Sequence, residues 1–508
     1  MPQLRDSGTH PTGGAGPECA AQSDKAHGFD RIFGIETEYG VSVTGADRPC
    51  DAGQVAMTMF RPVVSRARST NTYLPNGSRL YLDVGSHPEY ATAEARDPLD
   101  ALAQDLAGEA VMRRLALQAQ ERLRAAYGGR ATIHVYKNNA DSAGHSFGCH
   151  ENYLVRRYVP LETIERELLP FLITRQPFTG AGRVTPDGFR VTQRADFLDE
   201  AVSSATTRAR PMVNTRDEPH ADPDSYRRLH VIIGDSNRSQ FATAMKLATT
   251  HLVLCAIEHA ARSGEPSGLE GCALADPNAA NRAVSRDLTG GREARLRLAD
   301  PQAFGMHGGG GAVTPLELQY RYLSVVDAFL DRHGDRVAAS MPVGRSRRVR
   351  DLWARVLDDL SAGRLDRLAD RVDWVAKKRL VDALRARRPD VPLARLEQID
   401  MDYHDVANGT VYETLVRRGA MLRLVDARGV EESLGAPPRD TRAALRGLFV
   451  RTAEAAGARY SCDWTHVALT TPVRREAAMI DPFDAEPTPE FAALLDALCR
   501  TADGGPAS

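Results

Sequence analysis

Apolar and polar side chains alternate over residues 79–84, which read Arg-Leu-Tyr-Leu-Asp-Val. Successive side chains of a β-strand point to opposite faces, so this pattern predicts a strand with one apolar and one polar face. Arg79, Tyr81 and Asp83 share the polar face. A break that contains glycine and proline follows, and Glu89 adds a second carboxylate just beyond it.

A second strand with acidic residues is predicted over residues 31–39, where Glu36 and Glu38 share one face between apolar neighbours. Either strand alone could simply be amphipathic, with its polar face in water. Two strands that each present acids from an otherwise apolar ladder instead indicate a site for hard cations and phosphate.

The remaining pattern mixes long helices with strands that do not follow a strict βαβ order. We predict helices over residues 98–127, 241–262 and 441–456 and a mainly helical region over 316–400, with strands over 131–136, 150–155, 226–235 and 464–469. This order predicts an α+β fold, a largely antiparallel sheet backed by helices, with a smaller C-terminal α+β domain.

Three regions are predicted from the shifts in composition. Residues 1–28, rich in glycine, proline, serine and charge, are expected to be a disordered tail. Residues 29–430 are expected to form the catalytic domain. Residues 431–500 are expected to form the small C-terminal domain, because Pro437 and Pro438 mark a nearby boundary.

Composition excludes several classes of function. The net charge is −2 and charges of both signs are interspersed, so we expect no nucleic-acid partner. No stretch approaches the roughly 18 apolar residues of a membrane span, so we expect no membrane partner. The seven cysteines include no C-x-x-C pair, which favours a reduced, cytoplasmic setting over a disulfide framework or structural zinc.

Taken together, the polar candidates suit magnesium and phosphate chemistry. They are Glu36, Glu38, Asp83, Glu89, His150, His230, Arg79, Arg216 and Arg228. Clustered carboxylates repel unless cations join them, and arginines match phosphate oxygens in pairs. The glycine run at residues 308–311 is not a phosphate loop, because no Lys-Ser/Thr follows it.

Blander interpretations of individual residues remain open at this point. His150 and His230 could be hydrogen-bonded core residues. Arg227 and Arg228 would usually be a surface pair, and Trp464 would usually anchor a core or a domain interface.

Several long motifs resemble the Pup ligase and depupylase family of glutamine synthetase-like carboxylate–amine ligases. They are Gly-Ile-Glu-Thr-Glu-Tyr-Gly at 34–40, the stretch 76–92, Lys-Asn-Asn at 137–139, Gly-Cys-His-Glu-Asn-Tyr-Leu at 148–154, and the stretches 214–222 and 226–235. The resemblance runs from about residue 31 to about residue 485 and is densest before residue 250. The short connection between the two acidic strands and the residues at 83–89 and 203–208 are of the ligase type.

The resemblance implies a reaction and its participants. ATP would phosphorylate the side-chain carboxylate of the C-terminal glutamate of Pup, a ubiquitin-like protein, and a lysine ε-amine of a target protein would then displace phosphate. The product is an isopeptide bond that marks the target for the bacterial proteasome. Alternatives are a depupylase or Pup deamidase, a catalytically silent Pup-binding adaptor and a small-molecule carboxylate–amine ligase.

The resemblance also implies roles for individual residues, with Mg²⁺ as cofactor and ATP as co-substrate. Asp83 is expected to be the general base. The expected metal ligands are Glu36, Tyr81 and Glu89. The expected ATP-binding residues are Arg79, Thr92 and Trp464. Glu38, His150, Arg216 and His230 are expected to complete the metal and phosphate shell.

Overall fold

The computed structural model describes residues 28–83, 85–141, 144–204, 210–307, 310–338, 340–341, 343–471 and 474–502. The predicted tail therefore lies outside the described residues except for Gly28. Most of the stretch 203–208 and half of the glycine run at 308–311 lie outside them as well.

The strands, in chain order, are β1 (Phe33–Glu38), β2 (Gly40–Thr44), β3 (Asn71–Tyr73), β4 (Arg79–Leu82), β5 (Pro88–Ala91), β6 (Thr132–Tyr136), β7 (Cys149–Arg156), β8 (Arg183–Thr185), β9 (Gly188–Arg190), β10 (Glu200–Ser203), β11 (Pro211–Asn214), β12 (Tyr226–Val231), β13 (Leu296–Arg297), β14 (Ala312–Val313), β15 (Arg459–Cys462), β16 (His466–Thr471) and β17 (Arg475–Ala478).

The helices are α1 (Ala52–Ala67), α2 (Pro98–Tyr127), α3 (Leu161–Thr163), α4 (Leu169–Thr174), α5 (Gln176–Thr179), α6 (Gln240–Ser263), α7 (Pro277–Arg286), α8 (Pro315–Val337), α9 (Val343–Ser361), α10 (Asp373–Arg387), α11 (Leu393–His404), α12 (Val411–Arg417), α13 (Ala427–Gly435), α14 (Ala443–Ala455) and α15 (Pro489–Ala502). A π-helical turn at Ile164–Leu168 joins α3 to α4, and short 3₁₀ turns lie at Glu270–Cys272 and Leu365–Leu368.

The largest sheet has eight strands in the order β10-β11-β12-β7-β1-β5-β4-β3. Every neighbouring pair is antiparallel except β10 and β11, which are parallel. The predicted fold class, α+β with a largely antiparallel sheet backed by helices and a smaller C-terminal unit, is confirmed. One detail differs, because the break after residue 83 is a hairpin turn and Glu89 lies on a strand of its own, β5.

Strand β1 lies inside the sheet, between β7 and β5. Its buried residues alternate with partly exposed ones, so Glu36 and Glu38 face one side and Thr37 the other. The Thr37 hydroxyl donates to Asp105 of α2, which shows that the helices cover the side opposite the two glutamates.

Two long helices back this sheet. Helix α2 begins as predicted, with the Asp97 side chain accepting from the backbone N–H of Leu99 and Pro98 in the first helical position. Helix α6 is long and apolar enough to cross a membrane by length and composition alone, but the apolar window that meets this test is wholly buried in the protein. It is therefore a core helix. The six described cysteines form no disulfide.

The C-terminal unit pairs a three-stranded sheet, β15–β17, with α14 and α15. Its apolar cluster includes Phe449, Leu469 and Phe491 and also takes in Tyr73 from β3 of the large sheet. The predicted boundary at residues 430/431 falls within α13, whereas the two prolines lie between α13 and α14. The division into domains stays a prediction.

A buried ion-pair network ties this unit to the large sheet. Glu94, just after β5, accepts from Arg442 Nε at 2.8 Å and from Arg446 Nη1 at 3.1 Å. Arg446 also donates to the backbone oxygens of Gly77 and Trp464. Burial alone would raise the pKa of Glu94, but the two guanidinium groups outweigh it and lower the pKa to about 2.

We predict that Glu94→Gln lowers the free energy of unfolding by about 3 kcal/mol, because two buried guanidinium groups lose their counter-charge. The folded pKa lies below the ordinary value of 4.5, so the carboxylate stabilises fully above pH 4.5 and less as the pH falls toward 2. Urea denaturation of Glu94→Gln and of the wild type, at pH values from neutral downward, measures the difference in the free energy of unfolding. The exposed, ion-paired Glu121 provides the control Glu121→Gln, which should unfold like the wild type. Equal stability of Glu94→Gln and the wild type would refute the role of the network.

Candidate functional site

One face of the large sheet carries a continuous row of polar side chains, here called the polar face. From β12 to β4 its members are Arg228, His230, Asn152, His150, Glu36, Glu38, Glu89 and Tyr81. Strand register brings them together, since Glu36 lies opposite His150, Glu38 opposite Glu89, and Glu89 opposite Tyr81. Five strands therefore contribute to one site.

Glu36 is at the centre of the first group on this face. Its carboxylate accepts from Arg228 Nη2 at 2.9 Å and lies 3.2 Å from His150 Nδ1 and 3.7 Å from His230 Nε2. The nearest ligand atoms of Glu36, His150 and His230 all lie within 4.8 Å of one another. One ion can therefore reach all three residues.

Burial and neighbouring charges set the protonation states of Glu36 and His230. Burial would raise the pKa of Glu36, but Arg228, and after it the two histidines, lower it well below its usual range. Burial and the neighbouring His150 lower the pKa of His230 to about 3. Glu36 is therefore an anion and His230 a neutral imidazole near neutral pH.

A second group lies beside the first, toward the β4–β5 hairpin. Ligand atoms of Glu38, Asp83 and Glu89 lie within 4.8 Å of one another. Asp83 is exposed in the hairpin turn, which also contains Gly85 at φ 100° and Ser86 at φ 64°. Asp83 therefore borders both solvent and the other two acids.

Glu89 is the member of this second group whose environment favours a bound cation. Burial, and after it the charges of Glu36 and Glu38, raises its pKa well above the ordinary value. Glu38, in contrast, has a pKa lowered to about 2, because the neighbouring His87, at 3.8 Å, and His150 outweigh its burial. Converging carboxylates of which one resists ionisation fit a hard divalent cation, which prefers oxygen ligands.

Tyr81 and Arg79 lie on β4 at the edge of this group. Burial and the neighbouring Glu89 raise the pKa of Tyr81, so its phenol is neutral, and it lies opposite Glu89 in the strand register. The Arg79 guanidinium lies over the Tyr81 ring at 4.2 Å and donates to Asn71 at 2.9 Å. Tyr81 is thus positioned to hold Glu89, and Arg79 to hold Tyr81.

A pocket opens where the polar face meets the C-terminal unit. Glu36, Thr92, Asn152, His220, Arg442 and Trp464 are among the residues that line it. The Thr92 hydroxyl accepts from the backbone N–H of Ile35 at 3.0 Å and so fixes β1 beside the pocket. The pocket joins an aromatic ring on one side to the acids on the other.

Trp464 has two roles in the structure. Its ring packs edge-to-face on Tyr73 at 5.2 Å, and the Arg446 guanidinium lies over it at 4.9 Å. The same ring faces His220 across the pocket at 6.3 Å. Trp464 is thus both an interface anchor and a wall of the pocket.

Arg216 is the expected site residue that the structure places apart. Its guanidinium pairs with Glu218 at 2.5 Å and its side chain is 58% exposed. It lies on the loop that leads to Pro219 and His220 of the pocket rim. The structure therefore puts it near the pocket entrance and not among the acids.

Sequence reasoning misjudged or missed other residues here. The surface interpretation of Arg228 is wrong, because its side chain is only 17% exposed and pairs with Glu36. The alternation of β12 could have shown this, since Arg228 and His230 share a face. Arg194 was missed, because it lies on an irregular loop; it is buried and next to Glu38.

A largely antiparallel sheet whose polar face adjoins an aromatic pocket forms an enzyme-like site suited to a hard cation and phosphate. A family model described as Pup-ligase protein matches residues 31–468. The chain belongs to the Pup-ligase family.

Relatives agree over nearly the whole chain. A Pup–protein ligase of Bifidobacterium longum subsp. infantis is 66% identical over 498 residues, which cover 98% of this chain and 100% of the relative. A Pup–protein ligase of Bifidobacterium dentium is 64% identical with the same coverage.

Two solved structures are similar in fold. The complex between Pup and its ligase PafA matches with a TM-score of 0.83 and 36% identity, covering 94% of this chain and 93% of that chain. PafA in complex with ADP matches with a TM-score of 0.75 and 37% identity, covering 90% of this chain and 95% of that chain.

We predict that Gly148→Ala weakens ADP binding in the presence of magnesium by about tenfold, because site geometry tolerates little displacement. An added Cβ would lie 2.5 Å from His150 Nε2 and 2.7 Å from Glu38 Oε1, which forces both groups aside. Calorimetric titration with ADP measures the change, and thermal melting should stay close to that of the wild type. Gly435→Ala is the matched control, since nothing lies within 4 Å of its added Cβ. Unchanged ADP affinity in Gly148→Ala would contradict the prediction.

Proposed function

We propose that the protein is an ATP-dependent ligase that joins the C-terminal glutamate of Pup to lysine ε-amines of target proteins. The observation that carries the proposal is the acid-lined polar face beside an aromatic pocket in a chain of the Pup-ligase family. PafA, similar over nearly the whole chain, has been solved with Pup and with ADP, which supports both partners here.

Magnesium is the cation that we propose for the acids. Glu36 and Glu89, whose charges act on each other, would hold it, with Glu38 as a further carboxylate ligand and Tyr81 opposite Glu89 on the next strand. When bound, the ion would offset phosphate charge during transfer. His150, 3.2 Å from Glu36, and His230, 3.7 Å from it, would complete the shell around this carboxylate.

The nucleotide is proposed to lie in the pocket, with its base toward Trp464 and its phosphates toward the acids. An indole ring offers a flat apolar surface on which a purine can stack. Thr92 lines the same pocket. Arg79 and Arg216, at the β4 edge and at the pocket entrance, are proposed to meet the phosphates when the nucleotide is bound.

The reaction would proceed in two steps. The side-chain carboxylate oxygen of the terminal glutamate of Pup attacks the γ-phosphorus of ATP, and ADP leaves with the electron pair of the broken P–O bond. The lysine amine then attacks the carbonyl carbon of the resulting acyl phosphate. Phosphate leaves, and the amine must lose a proton for the amide to form.

Asp83 is proposed as the base that takes this proton. The ordinary pKa of a lysine ammonium is about 10.4, so the group must lose a proton before its nitrogen lone pair can attack, and a carboxylate beside it can accept that proton. Asp83 is exposed at the rim of the acidic group, which leaves it open to a lysine arriving from solvent. The target protein would therefore approach over the β4–β5 hairpin.

We further propose that the enzyme works in the cytoplasm, in a pathway that delivers modified proteins to the bacterial proteasome. The spread of unpaired cysteines supports a reduced compartment.

The ligation assay is the direct test of this function. Purified protein is incubated with magnesium, ATP, Pup ending in glutamate and a lysine-bearing protein, and conjugates are followed by gel electrophoresis and mass spectrometry. We expect an isopeptide-linked conjugate and one ADP per bond. Release of the target from a preformed conjugate, without ligation, would instead indicate a depupylase. Binding of Pup without either reaction would indicate an adaptor.

We predict that Asp83→Asn retains ADP and Pup binding but lowers the conjugation rate by about a hundredfold or more, because the amide cannot take the proton. Single-turnover ligation measures the rate, and titration calorimetry measures binding. Asp390→Asn, an exposed residue on another surface, is the matched control and should ligate at the wild-type rate. Ligation by Asp83→Asn at the wild-type rate would remove Asp83 from the role of base.

A further inference from the structure

A second cavity, of about 510 Å³, lies between α2, α12 and α13 and is rich in arginine. Arg113, Arg238, Arg417 and Arg423 line it, together with Glu109 and Glu413. We call it the arginine cavity. It shares no lining residue with the pocket at Trp464.

Arg238 is the buried arginine of this cavity, with a side chain that is 3% exposed. Its Nη2 donates to Glu413 at 3.1 Å, and its Nε forms an ion pair with Glu109 at 3.6 Å, which is too long for a hydrogen bond. Nε and Nη1 therefore have no hydrogen-bond acceptor among the described residues. Buried donors are almost always satisfied in folded proteins. A guanidinium group that lines a cavity with free N–H groups is therefore built to receive an acceptor from the cavity.

The charges of the cavity indicate which acceptor. Both glutamates already have basic partners, since Glu109 lies 2.8 Å from Lys137 Nζ and 3.6 Å from Arg238 Nε, and Glu413 pairs with Arg238 Nη2. Arg113, Arg417 and Arg423 donate hydrogen bonds to neutral oxygens of Val406, Thr414 and Val425, respectively. Positive charge is in excess, and several planar guanidinium groups suit an oxyanion that accepts hydrogen bonds on more than one oxygen.

The arginine cavity lies on the helical side of the sheet. Glu109 and Asp105 share Lys137, whose Nζ lies 2.5 Å from Asp105, and Asp105 accepts from Thr37 of β1. Thr37 points away from Glu36 and Glu38, so the cavity is behind the strand that carries the two acids. It is a site separate from the polar face.

We propose that the arginine cavity binds a phosphate group, either as free phosphate or on a phosphorylated molecule. The cavity is larger than one phosphate ion, so it admits a phosphoryl group with the molecule attached to it. Arg238 binds the anion at the buried end of the cavity, and Arg417 and Arg423 bind it at the exposed end. This site does not depend on the proposed ligase reaction.

The test titrates the full-length protein with inorganic phosphate, and separately with O-phosphoserine, at constant ionic strength. Magnesium and saturating ADP are present, so that the nucleotide pocket is filled. The variant is Arg417→Gln/Arg423→Gln, which changes two exposed side chains. The matched control, Arg385→Gln/Arg387→Gln, removes the same charge from the exposed surface of α10.

We expect the wild type and the control to bind phosphate, and the cavity variant to bind it about tenfold or more weakly, with ADP affinity within about twofold. Tighter binding of O-phosphoserine would identify a phosphorylated molecule as the ligand, and equal or weaker binding would identify free phosphate. Equal phosphate affinity in the cavity variant and the wild type would overturn the proposal. So would the absence of phosphate binding to the wild type at millimolar concentration.

Discussion

Two carboxylates on an interior strand must be compensated by their neighbours, and this constraint organises the polar face. Glu36 keeps its charge because Arg228 and His150 reach it from two adjacent strands. Removing water from a carboxylate is costly, and only charged or hydrogen-bonding partners repay that cost. The same strand turns Thr37 toward α2, so the helical layer and the site are both fixed by the alternation of one strand. A shift in register by one residue would exchange the two faces and remove the site.

Next to Glu36 lies an acid whose charge the protein does not compensate. Glu89 lies among carboxylates, and its pKa is raised by burial and by their charge, whereas the pKa of Glu38 is lowered by the neighbouring His87 and His150. One group of residues is thus already neutralised by the protein, and the other is left for a cation to neutralise. A bound cation would therefore matter most to the charge of Glu89, and Glu36 would join it as a ligand that the protein already keeps ionised.

The pocket exists only because two units of the chain are joined. Glu94 draws Arg442 and Arg446 toward the sheet, and Arg446 in turn holds the backbone of Trp464 and lies over its ring. The buried ion pairs therefore set the position of the aromatic wall relative to the acids. A site that needs a base, phosphates and a carboxyl group aligned within a few ångströms benefits from such a rigid junction.

The sequence by itself determined the elements and the faces of the strands. Alternation within residues 79–84 and in β1 predicts which acids share a face, and the motifs around them identify the family. Tertiary structure decided which of these residues meet. Arg228 and Glu36 are 192 residues apart in the chain and pair because β12, β7 and β1 lie in that order in the sheet. The hairpin that gives Glu89 its own strand, the loop that brings Arg194 to Glu38, and the arginine cavity have no local pattern. They depend on contacts between distant segments. The two-residue repeat of strands and the 3.6-residue repeat of helices do not encode such contacts.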